Sequence, residues 1–173
     1  MTRDYIMEKC AEKEFIEENK KKYSYPNDIL YSINIGKKLT NERILKLYEW
    51  KNGMKLSQKK MESVENNYPI GLKEDLVGRY LDSRRPGGPI WNIFYLHINN
   101  PEEWPIFDQH VYRAMRSILN KEINKLPTNK EKIYKIYRDE YKPFFKRFRE
   151  KSHRIKDKAF FAYGKSLKGK CIS

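Results

Sequence analysis

Pro86-Gly87-Gly88-Pro89, running straight into Ile90-Trp91-Asn92-Ile93-Phe94-Tyr95-Leu96-His97-Ile98, is the stretch that decides the fold. Its first four residues are the sharpest turn signal in the chain, and Arg84 and Arg85 lead into them. The next nine are apolar almost all round. Periodicity alone leaves such a run open between a buried strand and a buried helix. Its neighbours argue for a helix. Leu72, Leu76 and Tyr80 share a helical face on one side, and Val111, Met115, Ile118 and Leu119 share one on the other.

The remaining segments agree. Residues 4–22 space Tyr5, Ile6, Ala11, Phe15 and Ile16 among charges, an amphipathic helix. Residues 29–35 are short, apolar and ambiguous between helix and strand. Thr40 is placed to cap a helix carrying Ile44, Leu47 and Tyr48 and stopping at Gly53. Ser57 is placed to cap the next, with Met61, Val64 and Tyr68 aligned and Pro69 closing it. Asn129 can cap a helix carrying Ile133, Ile136, Tyr137 and Tyr141. Pro143 either kinks that helix or opens the segment with Phe144, Phe145 and Phe148. A last helix over 155–167 turns Ala159, Phe160 and Tyr163 inward. In its run from Lys156 to Lys165, Asp157 reads as structural and Gly164 as a packing or terminating residue.

The expectation is an all-α protein, one domain over residues 1–173. Its parts are N-terminal helices in 1–36, a hairpin and motif region in 72–120, and basic helices in 129–168. Two small lobes sharing a core are the other arrangement the length allows. An aromatic content of 14% is too high for a disordered chain. No apolar run approaches the roughly 20 residues of a membrane helix, and the charged start is unlike a secretory signal. The expectation is therefore no membrane partner and a cytoplasmic location, nucleoid-associated in a prokaryote or nuclear in a eukaryote. Two cysteines, Cys10 and Cys171, exclude a disulfide scaffold and a four-cysteine metal site within one chain. His97 and His153 have no partners at ligand spacing. No metal and no cofactor are expected.

Charge is unevenly placed. Residues 1–109 hold 18 Lys/Arg against 17 Asp/Glu, whereas residues 110–173 hold 19 against 6. Almost all of the net +14 lies in the last third, which points to a polyanionic partner. There Lys142, Lys146, Arg147, Arg149, Lys151, Arg154, Lys156 and Lys158 surround Phe144, Phe145 and Phe148. Aromatics among basic residues can stack on bases, but the helical spacing favours turning these rings toward the core. The charges do not read as a merely solvated face. Too few acids are present to pair those charges.

Two motifs could carry chemistry. In the 86–89 turn, Gly87 and Gly88 let backbone N–H groups approach a phosphate, and the helix that follows adds its positive end. An ordinary helix–helix turn would look the same. The second motif is Trp104-Pro105-Ile106-Phe107-Asp108-Gln109-His110-Val111-Tyr112-Arg113. Asp108 opens an amphipathic helix, where Asp is a favoured cap. A cap can also be a working carboxylate, since the helix end favours its negative charge and that charge can stabilise an oxocarbenium-like cation or orient water.

A glycine hairpin, one buried helix and a Pro-x-x-Asp-x-His-Val-x-Arg entry into another helix together resemble the helix-hairpin-helix DNA glycosylase superfamily, with its endonuclease III-like fold. The likeness rests on residues 84–116. It implies a helical bundle with a cleft between two small lobes, and Asp108 as the catalytic aspartate. It implies that Gly87 and Gly88 grip DNA and that His110 and Arg113 hold the helix positions after the aspartate. Arg84, Arg85, Lys146 and Arg147 complete the expected nucleic-acid contacts. The chain departs from the pattern in its Pro-Gly-Gly-Pro hairpin and in lacking iron–sulfur cysteines. Ile90 or Trp91 stands where bifunctional members place a Schiff-base lysine. The resemblance thus implies a monofunctional, DNA-repair-type N-glycosylase acting on double-stranded DNA. Two alternatives remain: a catalytically silent DNA-binding protein of the same fold, and an all-α interaction protein with a basic face.

Overall fold

The computed structural model describes residues 9–71 and 75–170, with the side chains of Lys9, Cys10 and Lys170 left aside. The expected helical residues Tyr5, Ile6 and Leu72, and Cys171, fall outside the described residues. Among the described residues the chain is all-α, with no strand. The helices are α1 (Lys9–Lys21), α2 (Asp28–Asn34), α3 (Asn41–Asn52), α4 (Gln58–Asn67), α5 (Leu76–Tyr80), α6 (Pro89–Asn99), α7 (Gln109–Ile118), α8 (Lys130–Lys135), α9 (Lys142–Arg147) and α10 (His153–Ser166). A π-helical turn, Ile136–Tyr141, joins α8 to α9. The ambiguous segments at 29–35 and 90–98 are both helical.

The chain, read from sequence as one domain, divides into two compact units: Tyr25–Trp104, and Met1–Ser24 with Pro105–Ser173. The middle unit holds α2 to α6 and is built on tyrosine. Tyr48, Tyr68, Tyr80 and Tyr95 pack ring to ring, with centroids 4.8 Å apart for Tyr48–Tyr68 and 4.5 Å for Tyr80–Tyr95. A buried phenol must satisfy its hydroxyl, and each of these does. Tyr48 donates to the Trp91 carbonyl at 3.0 Å, Tyr80 to that of Asn67 at 2.9 Å, and Tyr95 to that of Pro69. Tyr68 donates to Oδ1 of Asn92 at 2.7 Å. Burial pushes the Tyr80 phenol up to about 12 and the Tyr48 phenol well above its ordinary range. These hydroxyls therefore stay protonated donors throughout the physiological range.

Local signals set the helix ends here. The Thr40 side chain accepts from the Arg43 amide at 3.2 Å, and Gly53 closes α3 with a φ of 75°. Ser57 precedes α4 without a side-chain cap bond. His97, buried on α6, lies between two oxygens. Its Nδ1 is 2.7 Å from the Trp104 carbonyl and its Nε2 is 2.8 Å from the Tyr31 hydroxyl. A carbonyl only accepts, so the proton sits on Nδ1, and in the neutral ring Nε2 accepts from Tyr31.

In the other unit α10 is the central element, with α1 along one side of it and α7 along another. Phe15 of α1 packs edge-on to Tyr163 at 5.1 Å and also meets Phe160 and Phe148. The buried Glu12 carboxylate accepts from the amides of Arg149 and Glu150 and so secures the loop before α10. Against α7 the packing is tighter. A Cβ built at Gly164 would stand 1.8 Å from the His110 carbonyl oxygen, so glycine is the residue that fits this crossing. Two turns of α7 onward, the hydroxyls of Ser117 and Tyr163 are 2.9 Å apart.

Lys156, one of the basic residues of this third, lies in the core. It is 3% exposed, donates to the Phe145 carbonyl at 3.3 Å and lies over the Phe145 ring at 4.2 Å. Asp157 beside it is equally buried. Phe144 and Phe145 are core residues, as their spacing predicts.

Gly164→Ala tests the helix crossing. Helix propensity alone would make it stabilising by about 1 kcal/mol. The 1.8 Å approach to backbone reverses the sign, and a loss of about 1–3 kcal/mol is expected in urea denaturation. A gain in stability would contradict the packing described.

Candidate nucleic-acid interface and carboxylate site

The 86–89 turn connects α5 to α6, the helix–turn–helix relation expected from sequence. Gly87 has a φ of 90°, a conformation that favours glycine. A Cβ there would also meet the Tyr68 hydroxyl at 2.9 Å and Oδ1 of Asn92 at 3.1 Å. Gly88 is different: its φ is −76°, nothing lies within 4 Å of its Cβ position, and it caps α6. Both glycines are exposed. Pro89 occupies the first helical position, where no amide donor is needed.

Asn92 anchors this turn and is fully buried. Its Oδ1 accepts from Tyr68, while its Nδ2 lies 3.5 Å from the Pro86 carbonyl, a long contact. The two arginines ahead of the turn have different environments. Arg84 is exposed and grips Asp82 at 2.9 Å, which holds the Asp82 carboxyl below its usual range. Arg85 turns inward: its guanidinium stacks 3.9 Å over the Tyr80 ring and donates to the Asn67 carbonyl. Arg85, expected to contact nucleic acid, is thus engaged with the protein itself.

Asp108 is the N-cap of α7. Its Oδ1 accepts from the amides of His110 at 2.8 Å and Val111 at 3.1 Å. Both bonds converge on one oxygen, so the cap occupies one side of the carboxylate. This is the turned-back geometry that capping requires. Pro105, Ile106 and Phe107 are buried ahead of it, and Tyr137 donates to the Pro105 carbonyl at 2.9 Å. Gln109 fastens the loop after α7 by accepting from the Leu126 amide at 2.6 Å.

His110 and Arg113 form a pair on α7. Nη1 of Arg113 is 3.2 Å from Nδ1 of His110. A guanidinium only donates, so Nδ1 accepts and the imidazole proton resides on Nε2. Arg113 is buried and His110 half-buried, with the His110 ring 4.8 Å from that of Phe161. Of the remaining predicted contacts, Lys146 and Arg147 lie exposed in the last turn of α9. They stand in a unit whose exposed basic residues also include Lys132, Lys135, Arg138, Arg149, Lys151 and Lys165. Among the described residues no cluster of His, Cys, Asp and Glu could hold a metal ion, and no helix is long and apolar enough to cross a membrane.

Comparison with known proteins gives no match: no family model fits the sequence, and no curated protein or solved structure is significantly similar.

Asn92→Ala tests how the turn is held. It leaves the buried Tyr68 hydroxyl without its acceptor and empties an amide-sized volume. The expected loss is about 2–4 kcal/mol in chemical denaturation. An Asn92→Ala protein as stable as wild type would contradict the anchoring role.

Proposed function

We propose that this protein binds double-stranded DNA and hydrolyses the N-glycosidic bond of a base flipped out of the duplex. The observation that carries the reading is Asp108: a carboxylate at the entry of α7, half-buried, fixed through one oxygen by two helix amides. A carboxylate held this way cannot swing into solvent, and the helix end favours its negative charge. In the reaction the C1′–N bond breaks and its electron pair leaves with the base. Positive charge develops on the sugar ring, and Asp108 opposes it. A water oxygen then bonds to C1′, and its proton passes to Asp108 or to solvent. Ile90 and Trp91 stand where a Schiff-base lysine would be needed, so the chemistry proposed is hydrolysis alone.

The DNA-binding part of the proposal draws on three features. Gly87 and Gly88 are exposed at the start of α6, with no side chain to hold a phosphate off. Arg84 is exposed beside them. The excess positive charge of residues 110–173 suits a polyanion. The cap geometry of Asp108 also suits a second reading, a DNA-binding protein without catalysis. Such a protein would give the same binding result and no product.

Two measurements test the proposal. Duplex affinity should fall steeply with salt, with a linear negative slope of log K against log salt. A flat dependence would contradict a phosphate-gripping protein. A panel of duplexes carrying damaged or modified bases should yield an abasic site on at least one, with the strand intact until alkali is added. Direct strand cleavage through a borohydride-trappable adduct would contradict the hydrolytic assignment, and steep binding without any abasic product would favour the silent reading.

A further inference from the structure

A cavity of about 240 Å³ opens between α1 and the loop before α10, lined by Glu12, Lys13, Ile16, Glu17, Arg149 and Glu150. The α1 residues stand in two adjacent rows, Glu12 with Ile16 and Lys13 with Glu17, so one helix face supplies them. Glu12 and Ile16 are buried, 5% and 2% exposed, and form the floor. Lys13 and Arg149 are exposed and stand at the mouth.

Glu12 is the unusual member. A carboxylate this deep costs stability unless its oxygens are satisfied. Its Oε1 accepts from the amides of Arg149 and Glu150. Its Oε2 accepts no hydrogen bond among the described residues, and it is not sealed away from the cavity. Holding the loop needs only one carbonyl-type oxygen, which a glutamine would supply without a charge. The other charges here divide by engagement. Glu17 pairs with Lys20 at 2.7 Å, and Glu150 accepts from the Ser152 amide at 2.9 Å. The Lys13 and Arg149 head groups make no ion pair or hydrogen bond among the described residues. The cavity therefore offers one open carboxylate oxygen at its floor and two cationic groups at its mouth.

We infer that this cavity binds a small zwitterion of the free amino-acid class, with its ammonium on Oε2 of Glu12, its carboxylate on Arg149 and Lys13, and an apolar side chain against Ile16. A simple cation would meet the two cationic groups and the net +14 of the chain. A simple anion would be driven against Glu12. A zwitterion matches both ends and carries no net charge. Its ammonium only donates, as Oε2 requires, and a guanidinium meets a carboxylate with two parallel N–H bonds. The volume lies below the roughly 300–1,000 Å³ of pockets that take drug-sized ligands, which suits one amino acid and not a peptide. The inference is independent of the reading of Asp108.

The test is an NMR titration of the full chain with L-leucine, following the amide signals of Arg149 and Glu150, whose N–H groups rest on Glu12. Saturable shifts at millimolar leucine or below are expected. Leucinamide, which lacks the carboxylate, and N-acetylleucine, which lacks the ammonium, should each bind at least tenfold more weakly, as expected for one lost charge-assisted contact. Glu12→Gln keeps an oxygen for the two amides and turns an NH₂ donor toward the ammonium, so leucine affinity should fall at least tenfold. Arg149→Gln alters an exposed side chain and should weaken leucine severalfold, since Lys13 remains. Absence of saturable shifts with leucine overturns the inference. So does leucinamide or N-acetylleucine binding as tightly as leucine, or a leucine affinity unchanged in either variant. If Glu12→Gln does not fold, Arg149→Gln and the two analogues decide the matter.

Discussion

The missing side chain at Gly164 is the constraint on which the candidate site depends. Because it has none, α10 lies against the first-turn backbone of α7 at His110. That turn is the one whose amides Asp108 caps. The tight crossing, the Ser117–Tyr163 contact and the Tyr137 bond to Pro105 fix both sides of the cap. What reaches solvent at this point is set by backbone packing, which leaves little freedom for the carboxylate to wander. Preorganisation of that kind is what charge stabilisation in a reaction requires.

The middle unit solves a different problem with different residues. An exposed turn containing two glycines has high conformational entropy when unfolded. Here it is held from beneath by buried polar groups, chiefly Asn92 and Tyr68, while Arg85 stacks on Tyr80 and donates to Asn67. The positive charge next to the turn therefore divides by role. Arg85 is spent on architecture, and Arg84 is the exposed one, paired with Asp82. A polyanion approaching this turn would meet Arg84 and two open glycines. Asp82 is the local competitor for the Arg84 charge.

Much of the architecture was legible in sequence, and the reason is local chemistry. Thr40, Asn129, Asp108 and Gly53 sit at helix ends because capping is decided within a few residues. The all-round apolar run at 90–98 is a buried helix, and its two polar residues, Asn92 and His97, are both satisfied by partners distant in sequence. A polar residue inside such a run is the signal that could have pointed to those partners, since buried polar groups are seldom left alone. Other features were not legible. Arg85 reads as a surface cation until Tyr80 is known to lie beneath it. Lys156 reads as one more cation of a basic helix, and tertiary packing buries it beside Asp157, whose structural reading named no partner. The π-turn at 136–141 has no sequence signature short of the inserted residue itself, so the placement of Tyr141 emerged only from the fold.

The central claim concerns the charge of one carboxylate. Asparagine caps a helix nearly as well as aspartate, so Asp108→Asn keeps the cap while removing the negative charge. The measurement is the single-turnover rate of abasic-site formation by Asp108→Asn, on a duplex that the wild-type protein processes. The account predicts a fall of roughly two to three orders of magnitude, with denaturation midpoint and duplex affinity close to wild type. An asparagine variant that excises the base at the wild-type rate would contradict it.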